Sequence, residues 1–123
     1  MSRSLDDLCP ACRPLFDKFL ELAEENFNFD MVVVDVLRTP EQQAANIAKG
    51  VSWTAKSKHL PQPGCNKSHA LDAAPAHLMS LKNWAPSHPD WERLGVMAES
   101  LGLNWGGRWK QRDCPHVESV CKE

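Results

Sequence analysis

The stretch MVVVDVLRTPEQQAANIAKG, residues 31–50, joins a strand pattern to a helix pattern at a sharp boundary. Residues 31–37 are mostly β-branched and almost continuously apolar, which predicts a largely buried strand. Thr-Pro-Glu-Gln at 39–42 then supplies an N-cap, a proline at the first helical position and a glutamine at the third. This pattern predicts a helix that runs to Ala48 and stops at Gly50.

Helical spacing of apolar residues recurs on both sides of this unit. One apolar stripe precedes it and predicts an amphipathic helix of about four turns. A second stripe follows a capping box at 87–90 and ends before Gly102, which predicts another helix. The two stripes consist of Leu15, Phe16, Phe19, Leu20 and Ala23, and of Trp91, Leu94, Ala98 and Leu101.

The remaining segments complete the predicted fold. Residues 69–74 are a second strand candidate, and 116–118 form a short alternating piece near the end of the chain. Residues 51–68 and 75–86 are predicted to be loops, the first with short extended pieces. The order of helices and strands indicates an α+β fold with a small, mostly antiparallel sheet and helices packed on one side. The 123 residues contain no repeat and no linker, so a single domain is expected.

Charge and hydropathy argue against several classes of function. The formal net charge of -2 argues against a surface that binds nucleic acid, because such surfaces cluster Lys and Arg. No apolar run approaches the roughly 20 residues that span a bilayer, so no membrane insertion is expected. The sequence Met-Ser-Arg-Ser-Leu-Asp-Asp lacks the apolar core of a signal peptide, which predicts synthesis and initial retention in the cytoplasm.

The cysteines exclude a fully paired disulfide framework within one chain, because there are five of them. Cys9-Pro10-Ala11-Cys12 is the only Cys-x-x-Cys motif, and Cys65, Cys114 and Cys121 do not supply the second pair of a four-cysteine zinc site. No strand-like run precedes Cys9, which disfavours a thioredoxin-like motif. We expect two thiols at the start of a helix. The alternative is a structural zinc protein, which would need four closed ligands.

A set of polar side chains stands where the backbone could hold them rigidly. Asp72 interrupts an apolar run, His59 ends an extended piece, and His116 follows a proline and shares a strand face with Glu118. Two imidazoles and one carboxylate suit a catalytic zinc whose fourth position holds water. Asp113, three residues before His116, is placed to act as a general base. Hydrogen-bonded core residues are the alternative interpretation of the same spacing.

Several motifs together resemble one enzyme family. The order Ser-x-His at 57–59, Ala-x-Asp at 70–72, Trp-Gly-Gly-x-Trp at 105–109 and Asp-x-x-His at 113–116 resembles the M15 zinc peptidases. These include D-Ala-D-Ala carboxypeptidases and dipeptidases and the L-alanyl-D-glutamate endopeptidases of bacteriophages. The resemblance extends from about Val33 to Glu118. It includes the Arg and Gln segment at 37–42 and the Gly-x-Ser-x-Thr motif at 50–54.

The resemblance implies roles for individual residues. It assigns His59, Asp72 and His116 as ligands of a zinc ion (Zn2+) at the sheet face, and Asp113 as the catalytic base. Arg38 is expected near the site, where it could stabilise a carboxylate or an oxyanion. The implied substrate is the stem peptide of peptidoglycan, cut at the L-alanyl-D-glutamate bond by an endolysin-like monomer. Such an enzyme would act in the periplasm or cell wall after release with a holin.

One departure from the family pattern concerns the first ligand. Much of the family separates this histidine from the aspartate by seven positions, whereas His59 and Asp72 are 13 apart. A six-residue insertion at a turn costs little, so the ligands can still converge. The gap leaves His69 as a rival ligand. Positions 69 and 72 of a strand face opposite sides, which favours His59.

Two other functions are compatible with the same motifs. A D-Ala-D-Ala carboxypeptidase would differ in whether the substrate ends just beyond the scissile bond. A wall-binding module could retain the fold and the zinc without catalysis, although an intact Asp113 argues against it because binding needs no base. Trp105 or Trp109 could form a wall of the cleft.

Overall fold

Four helices and a four-stranded sheet account for the regular structure in the computed structural model, which describes residues 2–50, 57–81 and 84–120. The strands are β1 (Met31–Asp35), β2 (Ala70–Pro75), β3 (Asn104–Trp105) and β4 (His116–Glu118). The helices are α1 (Arg13–Phe27), α2 (Pro40–Ala48), α3 (Ala76–Met79) and α4 (Pro89–Ser100). The Gly-x-Ser-x-Thr motif beyond Gly50 lies outside the described residues, as does Cys121.

The sheet has the strand order β1-β2-β4-β3, and every neighbouring pair is antiparallel. The α+β prediction is therefore confirmed. Strand β2 is buried along its whole length because it has a partner on each side. The prediction of a largely buried first strand is wrong: residues 31–34 are half-buried, because β1 lies at an edge of the sheet. The strand is also shorter than the predicted 31–37: β1 ends at Asp35, and Leu37 forms an isolated antiparallel bridge with Ser2.

Helices α1 and α2 follow the sequence pattern closely. Helix α1 buries Phe16, Phe19 and Ala23, three members of the predicted stripe. Helix α2 begins with a reciprocal capping box, in which the Thr39 hydroxyl accepts from the Gln42 amide and the Gln42 side chain accepts from the Thr39 amide. The start of α2 is therefore fixed by a local capping motif, whereas Cys12 at the N-cap of α1 makes no side-chain capping bond.

The second half of the chain differs from the prediction in two details. Helix α4 is capped by His88, whose Nδ1 accepts a hydrogen bond from the backbone N–H of Asp90 at 3.1 Å, and not by Ser87. The predicted loop at 75–86 contains the short helix α3, which buries Leu78. A single helical turn is too short to show a periodic pattern, so nothing in the sequence distinguished it from a loop.

The core lies where α1 and α4 meet each other and the sheet. Its largest fully buried apolar side chains include Trp91, Phe16, Leu8, Leu71 and Leu78. None of the helices in the described ranges has the length and apolar character needed to cross a bilayer.

Candidate metal centre

Strand register assembles a row of polar side chains across the sheet. Asp35 on β1 is opposite Asp72 on β2, and Asp72 is opposite His116 on β4. Residues that face each other across antiparallel strands project to the same side of the sheet. His59 joins this row from the loop before β2. Its backbone carbonyl accepts a hydrogen bond from the Arg38 amide at 2.9 Å. Four separate segments of the chain therefore converge on one face.

Three of these side chains bring one donor atom each to a common point. His59 Nε2 lies 3.0 Å from Asp72 Oδ1 and 3.2 Å from His116 Nδ1. His116 Nδ1 lies 3.0 Å from the same Asp72 oxygen. The exposed fractions of the three residues are 1%, 8% and 4% in chain order, so water reaches the cluster only at its edge.

The outer ring nitrogens define which tautomers are present. His59 Nδ1 lies 2.8 Å from the carbonyl oxygen of Val36, which can only accept, so this nitrogen carries the proton. His116 Nε2 lies 2.7 Å from Glu118 Oε1 and likewise donates. In the neutral rings, His59 Nε2 and His116 Nδ1 are consequently lone-pair nitrogens that face a carboxylate oxygen.

Three lone-pair atoms this close together require a cation or additional protons between them. Burial alone would lower the pKa of His116, but hydrogen bonds to Asp72 and Glu118 outweigh it and raise the pKa to about 10. Burial would raise the pKa of Asp72, but the two histidines hold it well below its usual range. Tetrahedral zinc ligands stand about 3.3 Å apart, close to the spacing observed. His59, Asp72 and His116 therefore fit a metal ion.

A half-buried guanidinium, that of Arg38, lies on the other side of Asp72. Arg38 Nη2 lies 3.5 Å from Asp72 Oδ2, and Arg38 Nη1 donates to Gln43 Oε1 at 2.8 Å. Arg38 Nε also donates to Asp35, whose other oxygen has no hydrogen bond among the described residues. Arg38 thus lies between two carboxylates that would otherwise repel each other. Sequence reasoning missed Asp35 and Gln43, although Asp35 interrupts an apolar run just as Asp72 does.

Asp113 lies beside the three donors without joining them. Its Oδ2 is 3.9 Å from His116 Nδ1, and its side chain is 33% exposed, more than any of the three. Burial raises the pKa of Asp113, and the negative charge of Asp72 raises it further, while His116 opposes both effects. A carboxylate with a raised pKa at the mouth of a buried site has the properties of a proton acceptor.

The Trp-Gly-Gly-x-Trp motif holds the turn that carries Asp113 and His116. Gly106 accepts from the Asp113 amide at 3.0 Å, and a Cβ at position 106 would lie 2.5 Å from the Asp113 carbonyl oxygen. Trp105 is buried, and its indole N–H donates to the Cys114 carbonyl at 2.8 Å. The ring of Trp109 lies 4.9 Å from the ring of His116. Trp105 is therefore a core residue, and Trp109 borders the candidate centre.

We expect Gly106→Ala to displace the turn and to weaken both metal binding and cleavage. The added methyl group must push the backbone at Asp113 and the Cβ of His116, which lies 3.1 Å away. Overpacking of this kind costs about 1–3 kcal/mol of folding stability. Gly102→Ala is the matched control: position 102 has open space but a φ of +86°, so alanine should cost about 1–2 kcal/mol there without changing cleavage. Thermal unfolding and chelator competition would compare the two, and equal metal affinity in both variants would contradict this role of Gly106.

We expect Glu118→Ala to weaken metal binding by about 10–100-fold, because the partner of a metal-bound histidine fixes its tautomer and orientation. Glu118 accepts from His116 Nε2 at 2.7 Å. Glu118→Gln keeps an acceptor in place and should lose less affinity. A chelator titration of both variants checks the order, and an unchanged affinity in Glu118→Ala would show that His116 is oriented without this contact.

His69 does not belong to the group formed by His59, Asp72 and His116. Its side chain groups with Cys9 and Cys12, whereas His59 groups with Asp72 and His116. The alternation expected for positions 69 and 72 does not apply, because β2 begins at Ala70 and His69 lies one residue before it. His59 therefore lies with Asp72 and His116, and His69 does not; the assignment of His59 as the metal ligand stays a prediction.

Comparison with known proteins gives matches along most of the chain. The sequence profile of the phage L-alanyl-D-glutamate peptidase family matches residues 2–120. An L-alanyl-D-glutamate peptidase from Listeria phage A118 is 34% identical over 103 residues, which are 82% of this chain and 34% of that protein. The chain therefore spans about a third of the length of this curated relative.

A solved structure matches as well. The crystal structure of the Serratia marcescens L-Ala D-Glu endopeptidase ChiX superposes with a TM-score of 0.64 and 25% sequence identity, covering 97% of this chain and 87% of that one. Together with the profile match, this confirms the family resemblance that the motifs indicate.

Proposed function

Since this chain belongs to the phage L-alanyl-D-glutamate peptidase family, we propose that it is a zinc peptidase that hydrolyses the L-alanyl-D-glutamate bond of peptidoglycan stem peptides. The observation that carries the proposal is the convergence of His59 Nε2, Asp72 Oδ1 and His116 Nδ1 beside an uncoordinated Asp113. A purely structural metal site needs no such neighbouring base. Both relatives named above carry this activity in their names.

His59, Asp72 and His116 would hold the zinc ion and leave one position open. When bound, such an ion supplies Lewis-acid polarisation of a carbonyl oxygen and lowers the pKa of water. His59 and His116 are oriented for this task by the Val36 carbonyl and by Glu118, so neither ring can turn its lone pair away. Two histidines and one carboxylate are a ligand set found in catalytic zinc sites.

Asp113 would take the proton from the attacking water and pass it to the leaving amine. Its Oδ2 lies 3.9 Å from His116 Nδ1, too far for a hydrogen bond, so this oxygen can accept the proton of a neighbouring water. Its raised pKa strengthens it as a proton acceptor relative to an ordinary aspartate, and the same pKa makes the protonated form a usable acid in the second half of the reaction.

Arg38 would act as a positioning residue. Its contacts go to Asp35, Gln43 and Asp72, so its charge is directed at the carboxylates of the sheet face. In this role it holds Asp72 in the orientation that presents Oδ1 to the two histidines. Stabilisation of a carboxylate, one of the two roles expected of Arg38, is the role these contacts favour.

Digestion of purified peptidoglycan followed by mass spectrometry tests the proposal. We expect new amino-terminal D-glutamate ends and new carboxy-terminal L-alanine ends. Released D-alanine would instead indicate a carboxypeptidase, and no cleavage by zinc-loaded protein would reject both activities. Action at the cell wall, release with a holin and a monomeric state remain predictions, which lysis from within and light scattering would check.

A further inference from the structure

A second group of metal-binding side chains lies apart from the centre described above. Cys9, Cys12 and His69 each offer a donor atom, and these atoms lie within 4.8 Å of one another. Cys65 Sγ lies 3.5 Å from His69 Nε2. We propose that Cys9, Cys12, Cys65 and His69 bind a second zinc ion, which is structural.

The donor types and their spacing support this site. The four residues form a Cys-x2-Cys pair and a Cys-x3-His pair, and structural zinc sites are commonly built from two such short pairs. The remaining cysteines supply no second Cys-x-x-Cys pair, and in this proposal the partner pair contains a histidine instead. Three cysteines and one histidine are an established ligand set for a closed tetrahedral zinc.

The distance between Cys65 Sγ and His69 Nε2 agrees with tetrahedral zinc geometry. Zn–S and Zn–N distances of about 2.3 and 2.0–2.1 Å place a sulfur and a nitrogen ligand about 3.6 Å apart. The observed distance from Cys65 Sγ to His69 Nε2 is 3.5 Å. Cys9, Cys12 and His69 are buried, with exposed fractions of 1%, 0% and 7%, so a bound ion would be shielded from water.

The backbone holds both pairs in place. The amides of Cys12 and Arg13 donate to the Cys9 carbonyl at 3.0 and 2.9 Å, which curls the Cys-x-x-Cys segment into a turn. The Cys9 amide in turn donates to the Ser68 carbonyl at 2.8 Å, next to His69. The two pairs, distant in sequence, are thus joined through their own main chain.

Cys65 is presented by a tight turn. The Asn66 amide donates to the Gln62 carbonyl, and the Gln62 amide donates to the Lys67 carbonyl, both at 2.9 Å. Gly64 and Asn66 adopt positive φ values of 95° and 57°, as a turn this sharp requires. This turn belongs to the insertion between His59 and Asp72. The insertion therefore supplies a metal ligand and is more than a tolerated loop.

Both thiols of the Cys-x-x-Cys motif lie at the start of α1, a helix of 15 residues. Cys12 is its N-cap residue, and Cys12 Sγ lies 3.6 Å from the Cys9 carbonyl oxygen. Packing of two thiols as small apolar side chains would explain the burial of Cys9 and Cys12. It would not explain why a buried imidazole lies beside them with a third thiol, that of Cys65, 3.5 Å from its Nε2.

The second ion would fix the position of the first centre. The His69 amide donates to the Lys58 carbonyl at 3.0 Å, so the proposed ligand His69 is tied to the residue before His59. With four protein ligands, the site has no open position for substrate or water. Its role would be to brace the insertion that separates His59 from Asp72.

The metal content of this protein, purified under reducing conditions, tests the proposal. We expect about two zinc ions per chain. Replacement by cobalt should give the near-ultraviolet charge-transfer absorption of thiolate-bound cobalt, which the His59, Asp72 and His116 set cannot produce. About one zinc per chain without that absorption, or a disulfide between Cys9 and Cys12 in the mass spectrum, would overturn the proposal. None of these results depends on cleavage of peptidoglycan.

Single-residue variants test which side chains bind each zinc ion. Cys9→Ser should lose one zinc and the thiolate absorption, while Cys114→Ser, a matched change at another buried cysteine, should keep both. His116→Ala should lose one zinc and retain the absorption, which distinguishes the two sites. Cys65→Ser should release zinc to a chelator at least about tenfold faster than Cys114→Ser; equal rates would remove Cys65 from the ligand set. If Cys9→Ser does not fold, the cobalt spectrum of the unaltered chain decides.

Discussion

Asp113→Asn is expected to lower the rate of stem-peptide cleavage by about 10²–10⁴-fold, the contribution typical of a general base. Asparagine has nearly the same shape but cannot accept the proton from water. The metal should stay bound, because Asp113 lies 3.9 Å from the nearest metal-facing atom of His116 and does not belong to the converging set. Cleavage of purified peptidoglycan and zinc content would be measured on the same preparation.

Asp90→Asn is the matched control for this substitution. Asp90, on α4, is buried and pairs with His77 of α3 and with Arg93 at 2.8 and 2.5 Å. Its replacement should reduce stability without a comparable loss of rate. An Asp113→Asn variant that cleaves within a few fold of the unaltered enzyme would place the base elsewhere. Loss of metal from Asp113→Asn would mean that Asp113 is itself a ligand.

His59→Ala is expected to abolish cleavage and to remove the metal from the centre formed with Asp72 and His116. Two remaining ligands cannot hold zinc at the affinity of three, and Asp72 then keeps a buried charge with one fewer partner. Because removal of a buried ring also leaves a cavity, Asp72→Asn provides a second variant of nearly unchanged volume. Zinc content and cleavage rate should fall together in both.

His69→Ala provides the contrast. If His69 belongs to the proposed cysteine site, this variant should keep the zinc of the first centre, cleave at a reduced rate with lower stability, and lose the cobalt–thiolate absorption. His59→Ala should retain that absorption. The opposite pattern, with cleavage lost and the thiolate absorption retained in His69→Ala, would assign the catalytic ligand to His69. The two histidines are therefore separable by spectrum as well as by activity.

Sequence patterns predicted the elements whose determinants are local. The capping box of Thr39 and Gln42, the stripe on α1 and the alternation of His116 and Glu118 each depend on residues within a few positions of one another. The edge position of β1 depends on strand order, which no local pattern reports. The apolar run in β1 consequently suggested more burial than the structure has.

In the candidate centre, too, sequence patterns predicted some features, whereas others depend on strand register. The spacing and the family resemblance identified His59, Asp72, His116 and Asp113 together. The partners of Arg38 were missed because strand register, not sequence spacing, brings Asp35 opposite Asp72. The approach of His69 to Cys9 and Cys12 was missed for a related reason: the two segments are far apart along the chain and are brought together beside a bridge between Leu8 and Ser68.

The row of side chains across β1, β2 and β4 also makes the centre a reporter of folding. His59 and His116 are 57 residues apart, and contacts between residues so distant form only when the topology is complete. Any partly folded chain in which β4 has not paired with β2 lacks a ligand and cannot retain the ion. Since the Ala73 amide donates to the Pro115 carbonyl at this junction, its hydrogen exchange should slow when metal is added and should track the rate at which a chelator removes it.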